Sequence, residues 1–200
     1  MLKQLIYIFV ILLPLLCFGQ NMPDSDIDAP DVKIYTSIDE IKANPDSVLY
    51  IDFSKQKLCS IPNEVFECKN LVYLDLKRNK IEEIPSRIGE LQKLRVLNLS
   101  KNKIVKLPAE IGLCTQLRSL ILNQNAISEI CPEIGQLVNL AVLDLWGNEV
   151  DRLPTEITRI SENLKFLDMR VIYMTHDAQE AIELLLPETT IYFSNGCNCK

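Results

Sequence analysis

The sequence predicts a repeat protein of the α/β class, in which similar turns, each opening with a short strand, stack on one another. Residues 71–93 and 94–116 match position for position, and a 23-residue period is typical of repeat architectures. Each copy has apolar residues at its first, fourth and sixth positions and Asn at its ninth, Asn79 and Asn102. An inward-pointing amide must be hydrogen bonded, here by the backbone of its own and the neighbouring turn. The Asn therefore presupposes a stack.

The second halves of the two copies read IPSRIG and LPAEIG. The whole pattern resembles the leucine-rich repeat family, in the subclass whose repeats carry LPxxIG. The resemblance implies an α/β solenoid with a curved parallel sheet on its concave face, irregular or short helical convex turns, and a cap at each end. It further implies that the concave face binds a protein or peptide, without naming that partner.

Counting from Leu71 gives five repeats over residues 48–163. They are numbered 1 to 5 and span residues 48–70, 71–93, 94–116, 117–139 and 140–163. The ninth positions predict a structural ladder made of Asn79, Asn102, Asn125 and Asn148. Gln56 replaces the Asn in repeat 1. A sixth, partial repeat has Ile172 there, as expected of a terminal turn with no later neighbour to bond.

The segments outside the repeats predict two caps. Residues 34–47 contain a short helical pattern, capped by Thr36 or Ser37 and ended by Pro45, which would cover the open edge of the first repeat. The C-terminal cap has three expected parts: the partial repeat that begins residues 164–200, a helix over 178–186 with Thr175 or Asp177 as its cap, and a strand over 191–193. These should close the other end of the sheet.

Residues 1–19 are interpreted as an export signal, because a basic start at Lys3 precedes an apolar run and small residues before Gln20. The run is shorter than the roughly 20 residues that cross a bilayer, so no membrane-spanning segment is expected after cleavage. Lipidation at Cys17 is the less favoured alternative, since Leu16 stands where lipoprotein signals have a small residue. The expected location is periplasmic, cell-surface or secreted.

Charge argues against a nucleic-acid ligand. Removal of the signal deletes Lys3 and no acid, so 20 Lys and Arg face 27 Asp and Glu, a net charge of −7 against −6 for the whole sequence. Phosphate backbones bind clustered Lys and Arg, and here the bases are dispersed along the repeats. Residues 20–33 are acidic and nearly free of large apolar side chains, which predicts a flexible linker.

Alternation along the strands places the third, fifth and seventh repeat positions on the concave side. The candidate partner-binding residues are Tyr50, Tyr73, Asp75, Lys77, Asn98, Ile121, Asn123, Asp144, Trp146, Phe166, Asp168 and Arg170. Trp146 and Tyr73 are the strongest candidates, because exposed aromatic residues anchor protein partners. The alternative is that the aromatic residues only stabilise the sheet by cross-strand packing. The acidic fifth-position column is expected to accelerate association with a basic partner.

No catalytic residue, metal site or cofactor is predicted. His176 has no ligand or nucleophile partner near it in sequence and is expected in a solvated loop. The repeated glycines, Gly89, Gly112 and Gly135, mark convex turns that pass close to their neighbours rather than a phosphate loop. The fifth-position acids are expected to be solvated, without the raised pKa of a catalytic carboxyl.

The cysteines divide into two groups. Cys68 and Cys114 occupy a Leu position and predict small buried hydrophobic residues. Cys59 and Cys131 are expected outside the core, and the pairing of Cys59, Cys131, Cys197 and Cys199 is left open. The sequence thus favours a monomeric, non-catalytic protein-binding module. The alternative is a structural component of a cell-surface assembly, packed through its end caps or tail cysteines.

Overall fold

The computed structural model describes residues 33–194 and contains one sheet of eight parallel strands in chain order. The strands are β1 (Ile34–Tyr35), β2 (Tyr50–Asp52), β3 (Tyr73–Asp75), β4 (Val96–Asn98), β5 (Ser119–Ile121), β6 (Val142–Asp144), β7 (Phe166–Met169) and β8 (Thr190–Phe193). Pairing joins equivalent repeat positions, so Tyr73 is in register with Tyr50 and Val96. The fold is the predicted α/β repeat solenoid. The expected signal at 1–19, the linker 20–33 except Lys33, and Cys197 and Cys199 lie outside the described residues.

A short 3-10 helix follows each strand of repeats 1 to 5 on the other side of the core. These helices span Asn63–Glu67, Ser86–Glu90, Ala109–Leu113, Pro132–Gln136 and Thr155–Ile160. The first, fourth and sixth positions fill the space between sheet and helices, and in repeat 2 they are Leu71, Leu74 and Leu76, all fully buried. Each such side chain contributes roughly 1.5–3 kcal/mol of burial free energy before chain entropy is subtracted. The core therefore runs through every turn.

Each ladder asparagine bonds three or four backbone groups. Asn102 accepts the N–H of Ile81 at 3.1 Å and donates to the carbonyls of Leu76 and Leu99 at 3.0 and 2.9 Å. Asn79, Asn125 and Asn148 repeat this arrangement one turn apart. At the N-terminal end, Gln56 instead donates to the carbonyl of Thr36 at 2.7 Å. Each Asn thus joins its own turn to the preceding one.

The residue before each ladder position adopts a left-handed backbone conformation. The eighth position has a φ of 55–67° in all six repeats, although only Gly147 among these residues is a glycine. Its N–H donates to the seventh-position carbonyl of the next repeat, as Arg78 does to Ser100 at 2.8 Å. In repeat 6 the N–H of Val171 donates instead to a side chain, with Ser194 Oγ 2.5 Å away. Val171 is therefore a β-branched residue held at a φ of 58°.

Val171→Gly is expected to stabilise the protein by about 1 kcal/mol, because it removes left-handed strain at a side chain that is 65% exposed. Thermal or denaturant unfolding measures the change. The control is Val105→Gly, an exposed valine without a positive φ, which should destabilise by about 0.5–1 kcal/mol through backbone entropy. Equal losses for both variants would show that Val171 is unstrained.

The N-terminal cap differs from the expectation. Helix α1 runs from Ile38 to Ala43, with Ser37 as its N-cap, and Pro45 opens a 3-10 turn after it. The edge of repeat 1 is not covered by this helix, because β1 pairs with β2 there and becomes the edge strand. The helix lies instead near the 3-10 helix Asn63–Glu67, where Lys42 Nζ is 3.1 Å from Glu64 Oε1. Strand β1 was not predicted because two residues are too few to show the alternating apolar pattern of a strand.

The C-terminal cap contains helix α2, His176–Leu185, whose N-cap Thr175 accepts the N–H of Ala178 at 3.2 Å. His176 is thus the first residue of a helix and not part of a loop. Strand β8 pairs in parallel with β7, so it extends the sheet rather than closing it. No helix within residues 33–194 is long and apolar enough to span a bilayer.

The four described cysteines are free thiols. Cys68 and Cys114 are fully buried, as expected of small hydrophobic residues, and burial raises the pKa of their thiols to about 11 and about 12. The expectation for Cys131 is wrong, since it packs against the core and its thiol donates to the carbonyl of Pro108 at 3.7 Å. Cys59 is exposed. The Cys131 position is taken by Pro in other repeats, and proline also packs partly inward.

Candidate functional site

The face of the sheet opposite the buried columns carries the third, fifth and seventh repeat positions, and is called the open face. The structure brings all twelve predicted partner-binding residues onto this face. They differ in accessibility. Arg170 is exposed; Tyr50, Lys77, Ile121, Asn123, Asp144, Trp146 and Phe166 are half-buried; and Tyr73, Asp75, Asn98 and Asp168 are buried. The accessible members lie mainly on the C-terminal half.

The fifth-position acids form a backbone-capping column rather than a free acidic stripe. Asp75 Oδ1 accepts the N–H of Lys77 at 2.8 Å, two residues further along. The same bond recurs for Asp52, Asn98, Asp144 and Asp168 at 2.9–3.1 Å. Asp and Asn side chains commonly bond their own backbone in this way at turns. The expectation of a solvated acidic column is therefore wrong, because these side chains end the strands.

Asp75 shows the electrostatic result of this placement. It is only 5% exposed, and burial raises the pKa of its carboxyl from 3.8 to about 6, with a further contribution from the charge of Asp52. The N–H and charge of Lys77 and the hydroxyl of Tyr73 oppose that rise. Burial likewise raises the pKa of Asp144, against a hydrogen bond from Asn123. Raised pKa values were not expected for the fifth-position acids from the sequence.

Stability should fall with pH across the titration of Asp75. The pKa of Asp75 is higher in the folded state than in the unfolded state. Its contribution to the free energy of unfolding is therefore fully present below about pH 4 and is lost as the pH rises through about 6. The loss amounts to roughly 2–3 kcal/mol. Asp75→Asn keeps an oxygen for the Lys77 N–H and cannot ionise. The variant should be more stable than the wild type at pH 7, in denaturant unfolding measured from pH 4 to 7.

Asn98, at the same position of the next repeat, shows that an Asn is accepted there. The control is Asp151→Asn, at an exposed carboxylate away from the sheet, and its pH profile should match that of the wild type. If Asp75→Asn keeps the wild-type slope between pH 4 and 7, the carboxyl of Asp75 is not the group responsible.

Tyr73 is not the exposed anchor that the sequence suggested. Its side chain is 5% exposed, its hydroxyl lies 3.3 Å from Asp75 Oδ2, and its ring centroid is 6.3 Å from that of Tyr50. Neighbouring strands lie about 4.8 Å apart, close enough for large side chains to cover one another. Here the cross-strand packing alternative describes the residue better than the interface interpretation.

The C-terminal half presents a cluster of aromatic rings and one arginine. The rings of Phe166 and Tyr192 have centroids 5.2 Å apart, and Arg170 Cζ lies 5.7 Å from the Tyr192 centroid. Buried Asp168 holds the guanidinium through two oxygens, with Nε 3.0 Å from Oδ1 and Nη2 2.6 Å from Oδ2. Half-buried Trp146 occupies the position equivalent to Arg170 one turn earlier. The C-terminal cluster is defined as these five residues.

Sequence reasoning missed Tyr192 as a site residue. The strand containing it was expected, but it was treated as a cap and not aligned with the repeats. The register pairs Tyr192 with Asp168, which places it in the fifth-position column. Extending the alternation of the repeats into the cap would have found it.

Within residues 33–194, no three His, Cys, Asp or Glu side chains are grouped so that they could hold a metal ion. His176 is exposed at the start of α2. What the open face provides is a row of half-exposed aromatic, amide and cationic groups, which suits non-covalent recognition.

Comparison with known proteins identifies the class. A leucine-rich repeat family model matches residues 47–104. A solved structure of a leucine-rich repeat protein from Leptospira interrogans is 31% identical, with a TM-score of 0.65, and the match covers 82% of this chain and 48% of that one. No curated protein matches the chain. These matches support assignment to a leucine-rich repeat family, and the repeats suggest a protein-interaction module. The chain spans about half the length of the Leptospira protein.

Proposed function

We propose that the chain is a non-catalytic protein-binding module that holds its partner on the C-terminal half of the open face. The observation that carries the proposal is the C-terminal cluster. Trp, Tyr and Arg dominate binding hot spots, and three of the five residues are of these types. The N-terminal half contributes less, because Tyr73, Asp75 and Asn98 are buried and satisfied within the sheet.

The cluster is organised before a partner arrives. Asp168 fixes the guanidinium of Arg170 with two parallel hydrogen bonds, a geometry that such pairs favour. Tyr192 lies beneath the same guanidinium, within the distance of a cation–π contact. Side chains that are already ordered lose little entropy on binding, which favours affinity. A mobile surface of the same composition would bind more weakly.

The proposal includes the setting of the module. We propose that it acts after export, because residues 1–19 have the composition of an export signal, and that it acts as a monomer. The partner is a protein or peptide, and no cofactor takes part in its recognition.

Trp146→Ala and Phe166→Ala should each weaken partner binding by about 1–2 kcal/mol, roughly 5–30-fold in Kd. Calorimetric titration of the purified partner into each variant measures the loss. Leu113→Ala is the control, since Leu113 is exposed on a 3-10 helix across the core from the sheet, and it should leave Kd within about twofold. Unchanged affinity in both aromatic variants would contradict the proposal.

One observation favours a second candidate, a structural role through the C-terminal end. The segment between β7 and α2 exposes Tyr173 by 97% and Val171 by 65%, and α2 exposes Leu184. Apolar side chains gathered at one end are typical of interfaces. If Leu184→Ala weakens partner binding while Trp146→Ala and Phe166→Ala do not, this end-packed role replaces the open-face proposal.

A further inference from the structure

The structure gathers basic residues that are dispersed along the sequence. Just beyond the carboxyl ends of the strands of repeats 1 to 3, the eighth and tenth positions are all Lys or Arg. The basic edge is defined as these six residues: Lys55, Arg78 and Lys101 at the eighth position, and Lys57, Lys80 and Lys103 at the tenth. Lys101 is half-buried and the other five are exposed.

Backbone hydrogen bonds hold the two columns in register. The N–H of Lys55 donates to the carbonyl of Lys77 at 2.9 Å, and that of Arg78 to Ser100 at 2.8 Å. In the tenth-position column, Lys80 donates to Leu58 at 2.7 Å and Lys103 to Ile81 at 2.9 Å. Cations in each column therefore stand on turns about 4.8 Å apart, the spacing of paired strands.

Few carboxylates offset this charge. Lys103 Nζ lies 3.4 Å from Glu82 Oε1, and within residues 33–194 no other member of the basic edge forms an ion pair. The neighbouring Asp52 and Asp75 each accept a backbone N–H bond from the residue two positions further along. Like charges on adjacent turns repel each other, so a bound anion would stabilise the arrangement.

We propose that the basic edge binds a short acidic peptide segment of the partner. The inference rests on the proposed function to the extent that the partner is a protein. It reverses the sequence-based expectation of a basic partner, because the acids of the sheet are occupied internally and the accessible charge is positive. An acidic segment would also associate faster at low salt.

The dimensions favour a peptide over nucleic acid. Beyond repeat 3 the two columns contain no Lys or Arg and continue as Gln124, Gly147 and Val171, and as Ala126, Glu149 and Tyr173. Three turns span on the order of 10 Å, which matches about three or four residues of extended chain. Single-stranded nucleic acids are held by stacking on aromatic side chains, and neither column has one in repeats 1 to 3.

The test uses a fluorescein-labelled synthetic peptide of alternating Glu and Ser containing four Glu, titrated into the protein and followed by anisotropy. Saturable binding is expected, about tenfold weaker at 0.5 M than at 0.05 M salt. The triple variant Lys55→Glu, Arg78→Glu and Lys101→Glu should weaken it at least about tenfold. The triple control Lys93→Glu, Arg152→Glu and Arg159→Glu makes the same charge change at exposed sites elsewhere, and should stay within about twofold.

A second triple variant, Lys57→Gln, Lys80→Gln and Lys103→Gln, guards against misfolding of the first and should also weaken binding several-fold. Three results would overturn the inference: no binding of the peptide to the wild type, equal loss in the control triple, or equal binding of a peptide with Gln in place of Glu. Tighter binding of heparin or single-stranded DNA by more than about tenfold would assign the edge to another polyanion. Trp146→Ala should leave the peptide probe unaffected, so failure here is distinguishable from failure of the open-face proposal.

Discussion

Asn102→Ala is expected to lower the free energy of unfolding by about 2–3 kcal/mol, because it leaves the N–H of Ile81 without its acceptor and removes one of the two ladder amides that donate to each of the Leu76 and Leu99 carbonyls. Denaturant unfolding measures the loss. Gln56→Ala should cost less, since the Gln56 side chain makes a single exposed bond to Thr36. The largest effects should therefore fall in the middle of the ladder.

The matched control is Asn139→Ala, an exposed asparagine whose side chain makes one bond, to the carbonyl of Thr115 at 2.8 Å. Its loss should stay within about 0.5 kcal/mol, as for most surface substitutions. Equal destabilisation by the two alanine variants would mean that the ladder contributes nothing beyond an ordinary exposed hydrogen bond.

Gly135→Ala is expected to destabilise by about 3 kcal/mol or more, because an added Cβ would lie 2.2 Å from the carbonyl oxygen of Glu156 in the next turn. That atom belongs to the backbone, so two turns must separate to admit the methyl group. The 3-10 helices therefore pass one another at a distance that only glycine allows, as the sequence analysis expected of this position.

Gly147→Ala separates the effect of space from that of conformation. Its Cβ would meet nothing nearer than 3.5 Å, but its φ is 67°. Other repeats carry Lys, Arg or Gln at this position, so the cost should be only about 1 kcal/mol. A larger loss for Gly147→Ala than for Gly135→Ala in thermal unfolding would contradict the close approach of the convex turns.

The parts of the fold that were predicted are those whose cause repeats in the sequence. The turns can stack in only one way if an inward Asn and the apolar residues around it recur every 23 residues. The register and the Asn ladder could therefore be predicted by counting from Leu71. The left-handed eighth position did not follow, because Gly147 alone signals it and Lys, Arg, Gln and Val occupy it elsewhere. The hydrogen bonds between turns impose this conformation, so it hardly restricts which residue type occupies the position.

The site was harder to predict for a physical reason. Alternation placed Tyr73 and Asp75 on the correct face, but a side chain on the open face can still be buried. Strands about 4.8 Å apart let neighbours such as Tyr50 cover Tyr73, and the turn after each strand recruits the fifth-position carboxylate as a cap. Tyr192 was missed because a strand outside the repeats was not aligned with them. The exposure and hydrogen bonding of a side chain on the open face depend on the neighbouring turn and not on one repeat alone.

The most direct test of the open-face proposal is site-specific photo-crosslinking with a benzophenone amino acid, in complexes between the protein and its purified partner. Position 166 tests the open face, position 113 the opposite surface, and position 184 the C-terminal end. We expect the partner to be captured from position 166 and not from positions 113 or 184. Capture from position 184 alone would contradict the open-face proposal and would assign the interface to the C-terminal end.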